Sequence, residues 1–161
     1  MFNIKAEFYL KIIFLFSFIA LISAFFIEHI LGHQPCNLCL IERIPYGLSI
    51  MIIMAIFLIK KNQKLLVLLL ILTFIFSLVI SFYHFGIEKG FFEESSVCGV
   101  KSLTESITKE DLLKQLSEKA ISCRDVTFRI FGLSLTSINI VISLLFIITL
   151  LKIFNEYEKN Q

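Results

Sequence analysis

Residues 65–83 read LLVLLLILTFIFSLVISFY, 19 consecutive positions without a charge. A bilayer core about 30 Å thick is crossed by about 20 helical residues, so this stretch is long enough to span. Continuous apolar runs do not alternate as barrel strands do, which leaves the helix as the way to satisfy the backbone in lipid. Three more such runs lie in the chain. Ile12–Ile27 carries no charge, Ile44–Ile59 is short enough that its helix is expected to start near Cys39 or Leu40, and Ile130–Leu151 is dotted with Ser134, Thr136, Ser137, Asn139 and Ser143. Small and hydroxylated residues of that kind suit a helix packed against neighbours.

The composition agrees. Of 161 residues, 57% are hydrophobic and 17% charged, with a mean hydropathy of +0.87. Average soluble domains are about a quarter charged. The excess excludes a disordered tail, a solvated coiled coil and an ordinary water-soluble enzyme. A net charge of +2 gives no argument for nucleic acid as a partner. The expectation is an all-α membrane protein: one membrane domain, residues 1–161, a four-transmembrane-helix bundle with spans at about 8–28, 40–59, 65–83 and 130–151.

Orientation follows from the basic residues. Lys60, Lys61 and Lys64 crowd between spans two and three, Lys5 and Lys11 precede span one, and Lys152 and Lys159 follow span four. By the positive-inside rule these segments are cytoplasmic, both termini included. The loops at about 29–39 and 84–129 then face outward. The longer one holds seven Lys/Arg and eight Asp/Glu, so no basic bias opposes its export. Span one is expected to stay attached, because its apolar run is long for a signal peptide and Ile22-Ser23-Ala24 is a poor cleavage site. In the long loop, Thr108 and Asp111 resemble a capping box, and Leu112, Leu113, Leu116, Ala120 and Ile121 recur at helical spacing. A short amphipathic helix is expected there, on the membrane surface or packed on the protein.

All four cysteines map to the outer loops: Cys36 and Cys39 in the first, Cys98 and Cys123 in the second. In an oxidising envelope the first inference is two disulfides, one per loop. Closing a loop of about 26 residues is worth roughly 3.5 kcal/mol, whereas a four-residue C-x-x-C ring is worth only about 2. The longer pair therefore serves well as a staple, and the C-x-x-C pair does not. C-x-x-C is the spacing of dithiols that open and close, the second thiol standing ready to resolve a mixed disulfide. Cys39 is placed near a helix N-terminus, and Arg43 follows four residues later on the same helical face. An interfacial guanidinium is costly without an anionic user, such as a thiolate or a reduced quinone oxygen; the plainer reading is a snorkelling anchor. Zinc is the rival chemistry, with His29 and His33 completing H-x3-H-x2-C-x2-C. The second C-x-x-C of a zinc knuckle is missing, and thiolates are rarely left open in an oxidising compartment, so no metal is assigned.

Gln34-Pro35-Cys36-Asn37-Leu38-Cys39-Leu40-Ile41-Glu42-Arg43-Ile44-Pro45-Tyr46 resembles the signature of the DsbB disulfide-bond formation proteins of bacterial inner membranes. Tyr83-His84 with Glu88, then Cys98, is similar to the entry to that family's second periplasmic loop. Cys123 followed by Phe131-Gly132-Leu133-Ser134-Leu135 is similar to its exit. The resemblance implies a quinone-linked thiol oxidase in the inner membrane. Cys98, paired with Cys123, would be attacked by a reduced periplasmic thioredoxin-fold partner resembling DsbA. Electrons would pass to Cys36/Cys39, and Cys39 would deliver them to a quinone (ubiquinone or menaquinone) from the membrane pool, with Arg43 beside the ring and His84 in contact with it. The Cys98–Cys123 loop lacks the Pro-rich and Trp-bearing stretches of the best-known members, which leaves the partner's identity open. Two other readings compete with this one. Proteins resembling vitamin K epoxide reductase place their C-x-x-C late in the bundle, whereas here it precedes span two. A non-enzymatic scaffold with two structural disulfides would make Asn139 a packing hydrogen bond or part of a polar pathway; no Asp, Glu, Lys or Arg lies within spans one, three or four beyond their ends.

Overall fold

The computed structural model describes residues 4–59, 62–94, 98, 122–124, 129–130 and 132–159. The helices are α1 (Ile4–His29), α2 (Asn37–Ile41), α3 (Ile44–Leu58), α4 (Gln63–Glu88) and α5 (Leu135–Lys159). Four segments are long and apolar enough to cross a membrane: Ala6–His29, Asn37–Leu58, Gln63–Glu88 and Leu135–Tyr157. The chain is therefore a four-helix, multi-pass membrane protein. The amphipathic helix expected over 108–121 lies outside the described residues.

Three boundaries differ from the apolar runs, each for a local reason. The second span begins at Asn37, ahead of the expected start, and is broken at Glu42–Arg43. Pro45 sits in the first turn of α3. It has no N–H to donate, and its ring crowds the carbonyl four residues back, at Ile41, where α2 ends. The third span runs past Tyr83 to Glu88, so His84 belongs to the helix rather than to the loop. The run of apolar residues stops at Tyr83, but the last turns are held by polar partners on other helices. Gly90, at φ +76°, then takes the left-handed conformation that closes the helix, and Phe91 N–H donates back to Gly86 C=O at 2.8 Å. The fourth span starts at Leu135, not 130. Ahead of it Arg129–Ile130 (β1) and Leu133–Ser134 (β2) pair antiparallel, Arg129 opposite Ser134, around Gly132 at φ +82°.

The outside is apolar, unlike that of a soluble bundle, and the interior mixes polar with apolar side chains. Large apolar side chains such as Leu58, Val79, Phe82 and Val141 are exposed, while Ser17, Ser49, Ser77, Ser81, Thr136 and Ser143 are buried. Ser49 donates to Ser17 at 3.0 Å between α3 and α1, and Ser143 to Ser77 at 3.1 Å between α5 and α4. Without a hydrophobic drive between helices in lipid, close backbone approach at small residues and such hydrogen bonds hold the bundle together.

Two clusters mark the two ends. Leu10 and Ile13 of α1, Ile53 and Ile56 of α3, Val67, Leu70 and Phe74 of α4, and Leu150 and Ile153 of α5 pack together. Phe74 meets Phe146 edge-on at 5.0 Å. At the opposite end Cys36, Leu38, Ile87, Cys98 and Cys123 form a second cluster, flanked by Cys39, Ile41 and Tyr83. The packing thus gathers both cysteine pairs at one end, and the start of α1, the end of α3, the start of α4 and the end of α5 at the other.

Candidate functional site

The site is built from α2, the C-terminal end of α4 and the N-terminal end of α5. Cys36 is the N-cap of α2, in extended conformation, and its Sγ accepts a hydrogen bond from Cys39 N–H at 3.3 Å. The first turn of the helix carries Cys39 back over it, so the two sulfurs stand 2.6 Å apart, unbonded. A disulfide is about 2.05 Å long, and closing it needs only a short approach. Cys36 caps the helix start, and Cys39 is the third residue of α2, in its first turn near the N-terminus. Cys36 lies just ahead of the crossing segment. The Cys39 hydrogen bond, aided by the His84 hydrogen bond and charge and opposed by burial, brings its thiol down to about 5.

His84 reaches this pair from α4. Its Nε2 lies 3.6 Å from Cys36 Sγ, and its Nδ1 lies 2.9 Å from Glu42 Oε1. A carboxylate oxygen only accepts, so Nδ1 carries the proton and Nε2 faces sulfur. Thr136 of α5 stands 3.4 Å from the same Nδ1 and donates its own hydroxyl to Glu88 Oε1 at 2.7 Å. Glu42 is buried, and its second oxygen accepts from Asn139 Nδ2 at 3.5 Å. Asn139 Nδ2 also donates to Ser81 Oγ at 2.7 Å, and its Oδ1 accepts from the Tyr46 hydroxyl. Every buried side-chain N or O among the described residues has a partner. A chain of polar contacts therefore runs from Cys36 through His84 and Glu42 to Asn139, tying α2, α3, α4 and α5 together. Such networks confer rigidity when every member is satisfied.

Arg43 faces another way. Its Nη1 pairs with Glu28 at the end of α1, and its guanidinium lies 5.5 Å from the centre of the Phe25 ring. The anionic partner anticipated for this guanidinium is thus a carboxylate on another helix. Cys98 and Cys123 are joined in a disulfide with Cα atoms 5.6 Å apart. Both are buried, at 1% and 2% exposure, in the cluster with Cys36. The attack expected at Cys98 calls for an accessible sulfur; here both sulfurs are buried in a cluster that also holds Ile87 and Leu38.

Of the residues singled out from sequence, Cys36, Cys39, Cys98, Cys123 and His84 come together, and Arg43 stands apart with Glu28. His29 is exposed and its Nδ1 bonds Phe25 C=O at 3.2 Å. Among the described residues the cluster with metal-ligand spacing is Cys36, Cys39 and His84, a set not identified from sequence. Also missed were Glu42 and Thr136 as partners of His84. The signal for them was a scatter of polar residues in facing apolar runs.

The sequence matches the family described as Disulfide bond formation protein DsbB over residues 6–153. It is also 30% identical over 136 residues to a Rickettsia prowazekii (strain Madrid E) protein named "Uncharacterized protein RP370". That match covers 83% of this chain and 79% of the relative.

Proposed function

The chain belongs to the DsbB family of disulfide-bond-forming membrane oxidoreductases, and from that premise we propose that it is a thiol:quinone oxidoreductase of the bacterial inner membrane that reoxidises a periplasmic DsbA-like dithiol protein. The observation that carries this reading is the gathering of both cysteine pairs into one cluster at one end of a four-span bundle. The overall balance is a partner dithiol and a quinone going to a partner disulfide and a quinol. A partner thiolate attacks Cys98 and breaks its bond to Cys123; the partner's second thiolate then releases the partner as a disulfide, leaving both cysteines as thiols. The same exchange, with a reduced Cys98 or Cys123 as nucleophile, opens Cys36–Cys39 and restores the outer bond. Because both pairs share one buried cluster, the second exchange takes place within it, whereas the first needs Cys98 brought within reach of the partner.

The residues at the membrane edge suit a quinone. A guanidinium carries five N–H donors, and of those of Arg43 the Nη1 is engaged by Glu28. Leu40 and Ile44 beside it are apolar and exposed. A bound quinone supplies a two-electron, two-proton sink. Cys39, half-buried and nearer that edge than Cys36, is the thiol that gives up electrons there. His84, with its ring nitrogens taken by Cys36 and Glu42, acts on the sulfur: it receives the Cys36 proton at Nε2 while Glu42 holds Nδ1–H. The outward placement of the cysteines and the cytoplasmic placement of the termini rest on Lys60, Lys61 and Lys64 and the terminal lysines.

The test is quinone reduction by the purified protein supplied with a reduced dithiol partner. Wild type is expected to turn over, and Cys36→Ser or Cys39→Ser to abolish turnover while remaining inserted. Full turnover in either variant would sink the reading.

A further inference from the structure

We propose that the reduced Cys36–Cys39 pair and His84 form a binding site for one thiophilic divalent cation of the zinc or cadmium kind, which locks the pair in its dithiol oxidation state. The three ligand atoms, two sulfurs and one imidazole nitrogen, lie within 4.8 Å of one another. With Zn–S at about 2.3 Å and Zn–N at about 2.0–2.1 Å, tetrahedral geometry puts a ligating sulfur and nitrogen about 3.6 Å apart and two sulfurs about 3.8 Å apart. Cys36 Sγ and His84 Nε2 are already at 3.6 Å. The sulfur–sulfur distance has to open from 2.6 Å, and Cys39 Sγ, within 4.8 Å of the imidazole nitrogen, has to settle at ligand spacing; both adjustments fall to the half-buried Cys39 side chain.

The surroundings carry the argument further than three atoms would. A metal-bound histidine nearly always gives its other ring N–H to a carboxylate or carbonyl, which sets the tautomer and aims the lone pair. His84 has that arrangement: Nδ1 on Glu42 Oε1 at 2.9 Å, Nε2 turned to the sulfurs. Glu42 is in turn held by Asn139. Nitrogen with thiolate sulfur suits zinc and softer ions, and three protein ligands leave a fourth position open. The balance is simple: two thiols and one divalent cation give one metal dithiolate and two released protons, with no electron moved. A disulfide has no thiolate to offer, so the cation takes only the reduced pair and stops it from giving up electrons. That gating rests on the proposed function; the ligand geometry does not.

The experiment uses the full chain in detergent, with Cys98→Ser and Cys123→Ser leaving Cys36 and Cys39 as the sole thiols. The phosphine-reduced protein is titrated with Cd2+ and followed by sulfur-to-metal charge-transfer absorption. The Zn2+-loaded protein is examined by X-ray absorption. The expected results are one ion per reduced chain, none per oxidised chain, and a shell of two sulfurs with an imidazole nitrogen. His84→Ala should weaken binding by more than tenfold, and Glu42→Gln, which keeps the shape of the side chain, by about 10- to 100-fold. Equal binding by reduced and oxidised protein, a shell without imidazole, or unchanged affinity in both variants would overturn the site. If His84→Ala does not fold, the X-ray absorption shell of the parent still decides. Metal binding in a protein whose wild type reduces no quinone would refute the proposed function and leave the site standing. Turnover without metal binding by the reduced pair would do the reverse.

Discussion

Replacing Asn139 by leucine keeps the volume of a buried side chain and removes its polar atoms. In the wild type those atoms accept from Tyr46 on α3 and donate to Ser81 on α4 and to Glu42 at the α2–α3 break. Hydrogen bonds between membrane helices are worth about 0.6 kcal/mol each on average, with a maximum near 1.7. Three of them, one long at 3.5 Å, place the loss for Asn139→Leu at about 1.5–2 kcal/mol. Reversible unfolding in mixed micelles of rising SDS content measures it. Tyr46→Phe alone is expected to cost about 0.6 kcal/mol, and combined with Asn139→Leu to add almost nothing, because the shared bond is already gone. Additive losses would show that Tyr46 and Asn139 do not act together. A change below about 0.3 kcal/mol in Asn139→Leu would refute the view that this network, rather than apolar packing alone, ties α5 to its neighbours.

Cys98→Ser should prevent capture of the partner as a mixed disulfide; mass spectrometry finding the adduct at Cys36 instead would overturn the assigned order. Arg43→Ala should impair steady-state quinone reduction by more than tenfold while changing single-turnover oxidation of the partner by less than threefold, and equal losses would count against its place at the quinone. Gly86→Ala puts a Cβ 2.1 Å from the Phe92 ring, which stacks on Tyr83 at 5.7 Å. Moving that ring is expected to cost about 1–3 kcal/mol, and a Phe92→Ala second change should recover most of it; a melting temperature unchanged by Gly86→Ala would show that the ring yields freely.

The four spans could be read from the chain because lipid asks for little more than length and apolarity, and 65–83 meets both without help from its neighbours. Ends were harder. The helix through His84 to Glu88 depends on contacts with Cys36, Glu42 and Thr136, which no local pattern displays. Conversely, Ile130 and Leu133 look like the start of a helix, but Gly132 turns them into a hairpin. The break before α3 was not anticipated, although Pro45 carries its signal, since proline in a helix frees the carbonyl four residues back. The C-x-x-C motif announced its chemistry by spacing alone. Its partners did not, because whether Arg43 meets Cys39 or Glu28, and whether His84 meets a sulfur or the membrane, depends on how deep each helix sits and how it is rotated.

That proline has a further consequence. Cys39 rides on a five-residue helix, capped by Cys36, whose one buried side chain is Leu38, whereas α3 beyond the break buries Tyr46, Ser49, Ile53 and Ile56. Anchorage and reactivity are therefore carried on separate pieces of one crossing. The head of the span can be altered to suit a new courier or a different oily acceptor while its stem keeps its grip on the other three.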